Sequence, residues 1–166
     1  MTLTGTHITE FSEPGSAPLP WPDAERVLTG AEMFWLSTVR TDGRPHVAPL
    51  PAMWLHGRAY FCTGAREQKA VNLAANPACA LTTGTSLYRS GIDVIIEGTA
   101  TVTRDEPLLT HLTTLWQSKL DWTFIVRDGA FTDPGHGNTA PVYELTPTKI
   151  LAFTKAPYSQ TRYTFA

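Results

Sequence analysis

Short runs of alternating apolar and polar residues, separated by turns, dominate this chain. An alternation with a period of two is typical of strands that bury one face. Asp42-Gly43 lies between two such runs and is a hairpin signal. The pattern predicts six strands, at residues 33–39, 46–55, 59–63, 78–83, 92–102 and 141–153, the last of them broken at Thr146-Pro147.

Helical periodicity is confined to three segments, at residues 22–28, 66–76 and 105–120. Pro22 suits the first position of a helix, and Asn76-Pro77 ends the second segment because proline restricts the residue before it. The third segment is amphipathic and places five apolar side chains on one face: Leu108, Leu109, Leu112, Leu115 and Trp116. Residues 121–140 are expected to form a long loop.

Strands joined by hairpin turns, with few helices between them, predict a mainly β fold: a six-stranded antiparallel barrel with flanking helices. A parallel nucleotide-binding sheet would need a crossover after nearly every strand. Residues 1–21 are expected to form an extended N-terminal arm, and residues 22–166 a single domain. Pro49 and Pro51 lie two residues apart, so their missing N–H groups indicate a bulge, a free edge or a ligand on that side. Gly98 indicates a bend in the fifth strand.

Composition excludes several classes of function. The formal net charge is −2 and no basic run occurs, so neither nucleic acid nor a membrane is predicted as a partner. The two cysteines form no C-x-x-C pattern, and no signal peptide or apolar stretch of membrane-spanning length is visible. A cytoplasmic location is therefore expected.

The strongest chemical signal is a pair of cations, Arg66 and Lys69, expected in the first turn of the second helix. A cation there opposes the helix dipole, at a cost of about 0.3–1 kcal/mol. Glu67 offsets part of this cost, and a bound phosphate would offset more, since free N–H groups at a helix start favour anions. The segment is either a phosphate cradle or a solvated, mixed-charge helix start.

The other motifs in the sequence are weaker evidence for a function. Gly135 to Ala140 match the G-x-G-x-x-A fingerprint, but they follow a turn and lead into a strand, whereas a dinucleotide site needs the reverse order. None of the five histidines has metal-ligand spacing, so no metal is predicted. His46 lies either beside a ligand or within the barrel lining. No catalytic acid or base can be assigned.

The order of these features resembles the pyridoxamine 5′-phosphate oxidase-like family, the flavin-binding split barrels. The resemblance covers roughly residues 24–165. Its matching segments are Leu36-Ser37-Thr38-Val39, Asp42-Gly43-Arg44-Pro45-His46, Phe61 and Thr63 before Lys69, Asn76-Pro77, Ile96-Glu97-Gly98-Thr99-Ala100, Tyr143 to Lys149 with Phe153, and Thr161-Arg162-Tyr163.

The resemblance implies a homodimer with one cofactor in each of two clefts between the chains. Thr63, Gln68 and Lys69 would hold the cofactor phosphate. Gln68 replaces an arginine of the true oxidases, and Arg66 would substitute for it. The remaining implied residues lie along the ring or near the substrate: His46, Val47, Ala48, Pro49, Phe153 (in place of a tryptophan) and Arg162.

The chain lacks the Arg-x-His pair that vitamin-B6 oxidases use, so the resemblance is to the branch that performs reductions with FMN or the deazaflavin coenzyme F-420. The two cofactors share a tricyclic ring and a phosphate, and both stay open here. The expected function is an oxidoreductase transferring hydride to a small conjugated or polycyclic substrate, with residues 121–140 as a lid. The alternatives are a non-catalytic flavin, haem or tetrapyrrole binder, and a scaffold without ligand.

Overall fold

The computed structural model describes residues 3–165 and is mainly β. The strands are β1 Leu3–His7, β2 Met33–Val39, β3 Pro45–Pro51, β4 Met53–Leu55, β5 Arg58–Cys62, β6 Ala78–Gly84, β7 Ile92–Thr103, β8 Ile125–Arg127, β9 Ala130–Thr132, β10 Thr139–Ala140, β11 Val142–Lys155 and β12 Tyr158–Phe165. The helices are α1 Trp21–Gly30, α2 Gln68–Ala75 and α3 Glu106–Leu120, with a 3₁₀ turn at Thr9–Phe11.

Nine strands form one antiparallel sheet in the order β1-β12-β11-β7-β6-β2-β3, with β5 also paired to β11 and β4 to β5. Strand β11 organises this sheet because its first half pairs with β5 and its second half with β12, while β7 runs along most of its length. The sheet therefore curls around one apolar interior. This architecture confirms the predicted mainly β split barrel, with twelve strands among residues 3–165 instead of six.

A bulge shapes the middle of β11. The register with β7 shifts between Pro147 and Lys149, opposite Gly98. A Cβ atom on Gly98 would lie 2.1 Å from the Thr146 carbonyl oxygen, so the two strands approach too closely there for any side chain. The predicted break at Thr146-Pro147 is wrong: the strand continues through a bulge, which absorbs the missing N–H of proline.

Two apolar clusters stabilise the fold. The larger lies inside the curled sheet and includes Phe34, Leu36, Phe61, Leu81 and Ile96. The second lies beneath α3, where the predicted amphipathic face is confirmed by the complete burial of Leu109, Leu112 and Trp116. Asp105 caps this helix, since its carboxylate accepts a hydrogen bond of 3.0 Å from the Leu108 N–H.

Three elements differ from the sequence predictions. The expected strand at 46–55 is divided into β3 and β4, with Ala52 between them. The expected loop at 121–140 contains the three-stranded sheet β10-β9-β8, whose strands of two or three residues are too short to show a period. The chain after residue 157 forms β12, which pairs with β11 on one side and β1 on the other.

The N-terminal segment packs against β12. The Leu19 N–H donates a hydrogen bond of 2.8 Å to Thr161 Oγ1, and the Tyr163 hydroxyl donates one of 2.6 Å to the Leu19 carbonyl. Residues 1 and 2 of the predicted arm, and residue 166 of the predicted domain, lie outside the described residues.

Candidate functional site

The predicted cradle lies between the end of β5 and the start of α2. The chain leaves the sheet at Cys62, turns through a hydrogen bond from the Glu67 N–H to the Gly64 carbonyl (3.0 Å), and enters α2 at Gln68. Glu67 is the N-cap residue, with an extended backbone. The placement of Arg66 in the first helical turn is wrong, because the turn ends only at Glu67 and Arg66 precedes it.

The Glu67 carboxylate lies on the donors of this turn. Its Oε1 atom accepts a hydrogen bond of 2.8 Å from the Gly64 N–H, and its Oε2 atom forms an ion pair with Lys69. The Lys69 side chain is only 12% exposed. Partial burial alone would raise the pKa of Glu67, but the hydrogen bonds from Lys69 and Gly64 outweigh it and hold that pKa below its ordinary value.

Thr63 supplies a buried donor beside this ion pair. The residue is 3% exposed, and its hydroxyl oxygen has no partner in hydrogen-bonding geometry among residues 3–165, although the Glu67 carboxylate lies nearby. A buried hydroxyl without a partner is destabilising, and a bound ligand is one way to complete its bonding. A hydroxyl, a lysine and a backbone N–H form the donor set that phosphate oxygens accept, and these residues fit a cofactor phosphate.

A cavity of about 750 Å³ opens beside the cradle. One side is the turn from Cys62 to Glu67, and the other comes from the segment between α3 and β11. Trp122 and Phe124 line that second side, with their ring centroids 4.8 Å apart. The Phe124 ring also stacks on Phe131 at 4.8 Å, so the exposed Trp122 is continuous with the buried aromatic cluster under α3. The cavity thus has one polar side, where Arg66 and Glu67 carry opposite charges, and one aromatic side.

The titratable groups of this cavity are poorly suited to proton transfer at neutral pH. Burial raises the pKa of the Cys62 thiol from 9.0 to about 12, which keeps it protonated. Asp133 accepts hydrogen bonds from the N–H groups of Gly135 (2.7 Å) and His136 (3.2 Å), which hold the pKa of its carboxyl below its ordinary value.

Gln68 belongs to a chain of polar side chains that connects α2 with the sheet. Arg40 donates to Gln68 at 3.1 Å, and Gln68 donates to Asn72 at 2.8 Å. Asn72, which is completely buried, donates to Thr38 Oγ1 at 2.8 Å. The Thr38 hydroxyl lies 3.4 Å from His46 Nδ1. The start of α2 and the ring of His46 are therefore held relative to each other.

The predicted ring-lining segment, His46 to Pro49, lies on β3 at the edge of the sheet. His46 and Ala48 pair with the buried Thr38 and Leu36 and lie on the inner side, whereas Val47 is 56% exposed on the outer face. Pro49 also lies on the outer side, opposite Trp35, which is 43% exposed. Of the three alternatives that the prolines left open, a free edge is present, since β3 pairs only with β2 in the described chain.

Phe153 and Arg162 lie elsewhere. Phe153 borders a separate cavity of about 340 Å³ with Trp35, on the outer face of the sheet. Arg162 pairs with Leu151 on that same face. Phe153 is eleven residues along β11 from Val142, which pairs with Cys62 near the cradle, and that is roughly 35 Å of strand. Neither residue lines the cavity beside the cradle of its own chain.

Sequence reasoning missed the polar chain and the contact of the Glu67 carboxylate with the Gly64 N–H. The spacing of four between Gln68 and Asn72 is a helical pair that could have been noticed. The contact of Asn72 with Thr38 spans 34 positions and leaves no sequence signal. Phe124 was missed because it lies in the segment interpreted as a loop.

Two features are absent from the described part of the chain. Residues 3–165 bring together no group of three or more His, Cys, Asp or Glu side chains able to hold a metal ion. None of the helices in the same range has the length and apolar character needed to cross a bilayer.

Comparison with known proteins gives the family. The model of the pyridoxamine 5′-phosphate oxidase family matches residues 21–152. No curated protein matches the sequence. The structure resembles General Stress Protein 26 from Bacillus anthracis str. Sterne, with a TM-score of 0.61 at 22% identity over 83% of this chain and 95% of that one.

Two other similar structures have names that specify a ligand. An F420 reductase has a TM-score of 0.55 at 21% identity, over 76% of this chain and 94% of that one. A FAD-binding protein from Mesorhizobium loti has a TM-score of 0.61 at 14% identity, over 99% and 100%. Identities this low compare folds only. The family match covers most of the chain and agrees with the curled sheet and the residue order, so this chain belongs to the pyridoxamine 5′-phosphate oxidase-like family of split barrels.

Proposed function

We propose that this protein is a flavin- or deazaflavin-dependent oxidoreductase that reduces a small conjugated or polycyclic substrate. The observation that carries the proposal is the buried hydroxyl of Thr63, which has no partner in hydrogen-bonding geometry within residues 3–165 and lies beside the Glu67–Lys69 ion pair, at the edge of a cavity of about 750 Å³. FMN and coenzyme F-420 both place a phosphate close to a tricyclic ring. Membership of the family, and the resemblance to an F420 reductase and a FAD-binding protein, support this class of cofactor.

The proposed division of labour is simple. The bound ring would supply the hydride, and the protein would bind and orient the reactants. Thr63 and Lys69 bind the phosphate, with Arg66 at the rim. Trp122 and Phe124 provide flat apolar surface against which a planar substrate stacks, and they exclude water from that side. No acid or base on the protein is required for hydride transfer itself.

A homodimer is part of the proposal. Phe153 and Arg162 lie on the outer face of the sheet, far along β11 from the cradle of the same chain. That face exposes Trp35, Met33 and Val47 to 43%, 43% and 56%. Large apolar side chains grouped on one face are typical of a surface that another chain covers. Packing two chains through this face would place Val47, Pro49, Phe153 and Arg162 at the interface between the chains.

A non-catalytic carrier of the same cofactors is the second candidate. The resemblance to a FAD-binding protein favours it, because that protein's name specifies binding and no reaction. Such a protein would bind the ring without offering it a substrate.

A cytoplasmic location is proposed for either function, and it is supported by Cys62 and Cys79 being free thiols.

The test is a titration of the purified protein with FMN and, separately, with coenzyme F-420, followed by calorimetry. Binding of either at micromolar concentration or tighter is expected. Oxidation of the reduced, bound cofactor is then measured with quinone, nitroaromatic and polycyclic acceptors. Turnover that depends on acceptor concentration identifies the oxidoreductase. Binding without turnover favours the carrier, and failure of both cofactors to bind contradicts both functions.

Sedimentation equilibrium at micromolar concentration tests the dimer, and a monomer contradicts it.

A further inference from the structure

The Glu67 carboxylate already binds the hydrogen-bond donors that a phosphate would need. It accepts the Gly64 N–H at 2.8 Å and forms the ion pair with Lys69. It is also close to the Thr63 hydroxyl, which has no partner in hydrogen-bonding geometry within residues 3–165. A phosphate bound to these three groups would lie against a second negative charge.

The carboxylate is held closely over the turn. A Cβ atom at Gly64 would lie 3.2 Å from Glu67 Oε1, so the glycine leaves room for the carboxylate to approach the backbone. Lys69 has little access to solvent, and its ammonium group has the carboxylate as its ion-pair partner among residues 3–165. The Glu67 side chain is 53% exposed, so it has space to rotate outward. The ion pair can therefore open without disturbing the core.

We infer that Glu67 is an internal anion that competes with the ligand phosphate for Gly64 and Lys69 and must swing out when the phosphate binds. This inference rests on the proposed function. It makes Glu67 a residue that determines specificity: a dianionic phosphate gains enough from Lys69 and Thr63 to displace the carboxylate, whereas a weaker anion such as a single carboxylate does not. The affinity of the wild-type site is correspondingly lower than its donors alone would give.

The test compares FMN and coenzyme F-420 binding to the wild type, Glu67→Gln and Glu67→Ala by calorimetry at low and moderate salt. The interaction between two unit charges about 4 Å apart in water is worth about 1 kcal/mol, which corresponds to about a fivefold change in affinity. The change is larger at a lower dielectric constant. Both variants should therefore bind about five- to thirtyfold tighter, and acetate at millimolar concentration should begin to compete with FMN. The gain should shrink as salt increases.

Asp133→Asn is the matched control. Asp133 lines the same cavity and loses the same charge, but it is bonded to Gly135 and His136 rather than to the cradle donors. It should change the affinity less than twofold. Equal gains in Asp133→Asn and Glu67→Gln would show a general charge effect and overturn the inference.

The remaining outcomes separate this inference from the proposed function. If both Glu67 variants bind the cofactor with the same affinity as the wild type, or more weakly, the inference alone is overturned. Binding by the variants but not by the wild type supports it in a stronger form, with Glu67 excluding the cofactor. Failure of all three proteins to bind either cofactor overturns both. Thermal unfolding of each variant checks that the fold is intact.

Discussion

Replacing Thr38 with valine tests the buried polar chain that ties α2 to the sheet. Thr38 is 2% exposed, and its hydroxyl accepts the hydrogen bond of 2.8 Å from the completely buried Asn72 amide. Valine has nearly the same shape but no acceptor, so the Asn72 amide would remain buried with one donor unpaired. Leaving such a donor unsatisfied costs about 1–3 kcal/mol. The free energy of unfolding should fall by that amount.

The assay is urea denaturation, with the midpoint and the slope fitted separately. A loss of about 2 kcal/mol in a chain of this length corresponds to a decrease in Tm of roughly 4–8 °C. Thr101→Val is the control, because Thr101 lies exposed on β7 and donates no side-chain hydrogen bond within residues 3–165. That control should stay within about 0.5 kcal/mol of the wild type.

A double-mutant cycle completes this test. Asn72→Ala removes the other partner, so the double variant Thr38→Val/Asn72→Ala should be less destabilised than the sum of the single variants by about 1 kcal/mol or more. Additive effects, or a Thr38→Val variant as stable as the Thr101→Val control, would refute the reasoning. In that case the hydrogen bond would contribute nothing measurable to holding α2 against β2.

Three further results are expected. Lys69→Ala should weaken FMN binding, measured by calorimetry, by about 1.5–3 kcal/mol if the ammonium contacts the phosphate. Lys119 donates to the Thr29 carbonyl instead, so the control Lys119→Ala should leave the affinity unchanged. Equal effects of the two substitutions would contradict the assignment. At pH 9, followed by mass spectrometry, iodoacetamide should alkylate Cys62 in the native protein at least about 100-fold more slowly than in the unfolded chain, and rapid alkylation of the native protein would contradict this. Because the folded thiol retains its proton up to a pKa of about 12, the free energy of unfolding should fall as the pH rises from 9 towards 12. Gly98→Ala should destabilise the protein by at least about 2 kcal/mol in urea denaturation, since its Cβ would meet the Thr146 carbonyl, whereas Gly30→Ala, with no atom within 4 Å, should be neutral; a stable Gly98→Ala protein would refute the close approach.

The sequence allowed the longer elements and the fold class to be predicted because their signals are local. The apolar face of α3 and the hairpin at Asp42-Gly43 need only neighbouring residues to be recognised. Strands β8, β9 and β10 could not be predicted, since two or three residues show no alternation. Strand β12 was missed because its sequence, from Tyr158 to Phe165, carries few aliphatic residues, although Ser159 and Thr161 are buried.

The site was predictable only in part, for a related reason. The cations Arg66 and Lys69 next to a helix start gave a local signal, and Lys69 does lie in the first turn of α2. The start of the helix was misplaced because nothing in the composition distinguishes Arg66 from a helical residue. The separation of Phe153 from the cradle depends on the length and register of β11, which emerge only from pairing across the whole sheet.

The most direct test of the central claim compares FMN with riboflavin, which has the same ring but no phosphate. If the turn from Thr63 to Lys69 holds the phosphate, calorimetry should show FMN binding at least about tenfold tighter than riboflavin. Lys69→Ala should then lose most of that difference, while riboflavin affinity stays the same. Equal, measurable affinities for FMN and riboflavin in the wild-type protein would contradict the account, because the cradle would then contribute nothing to recognition.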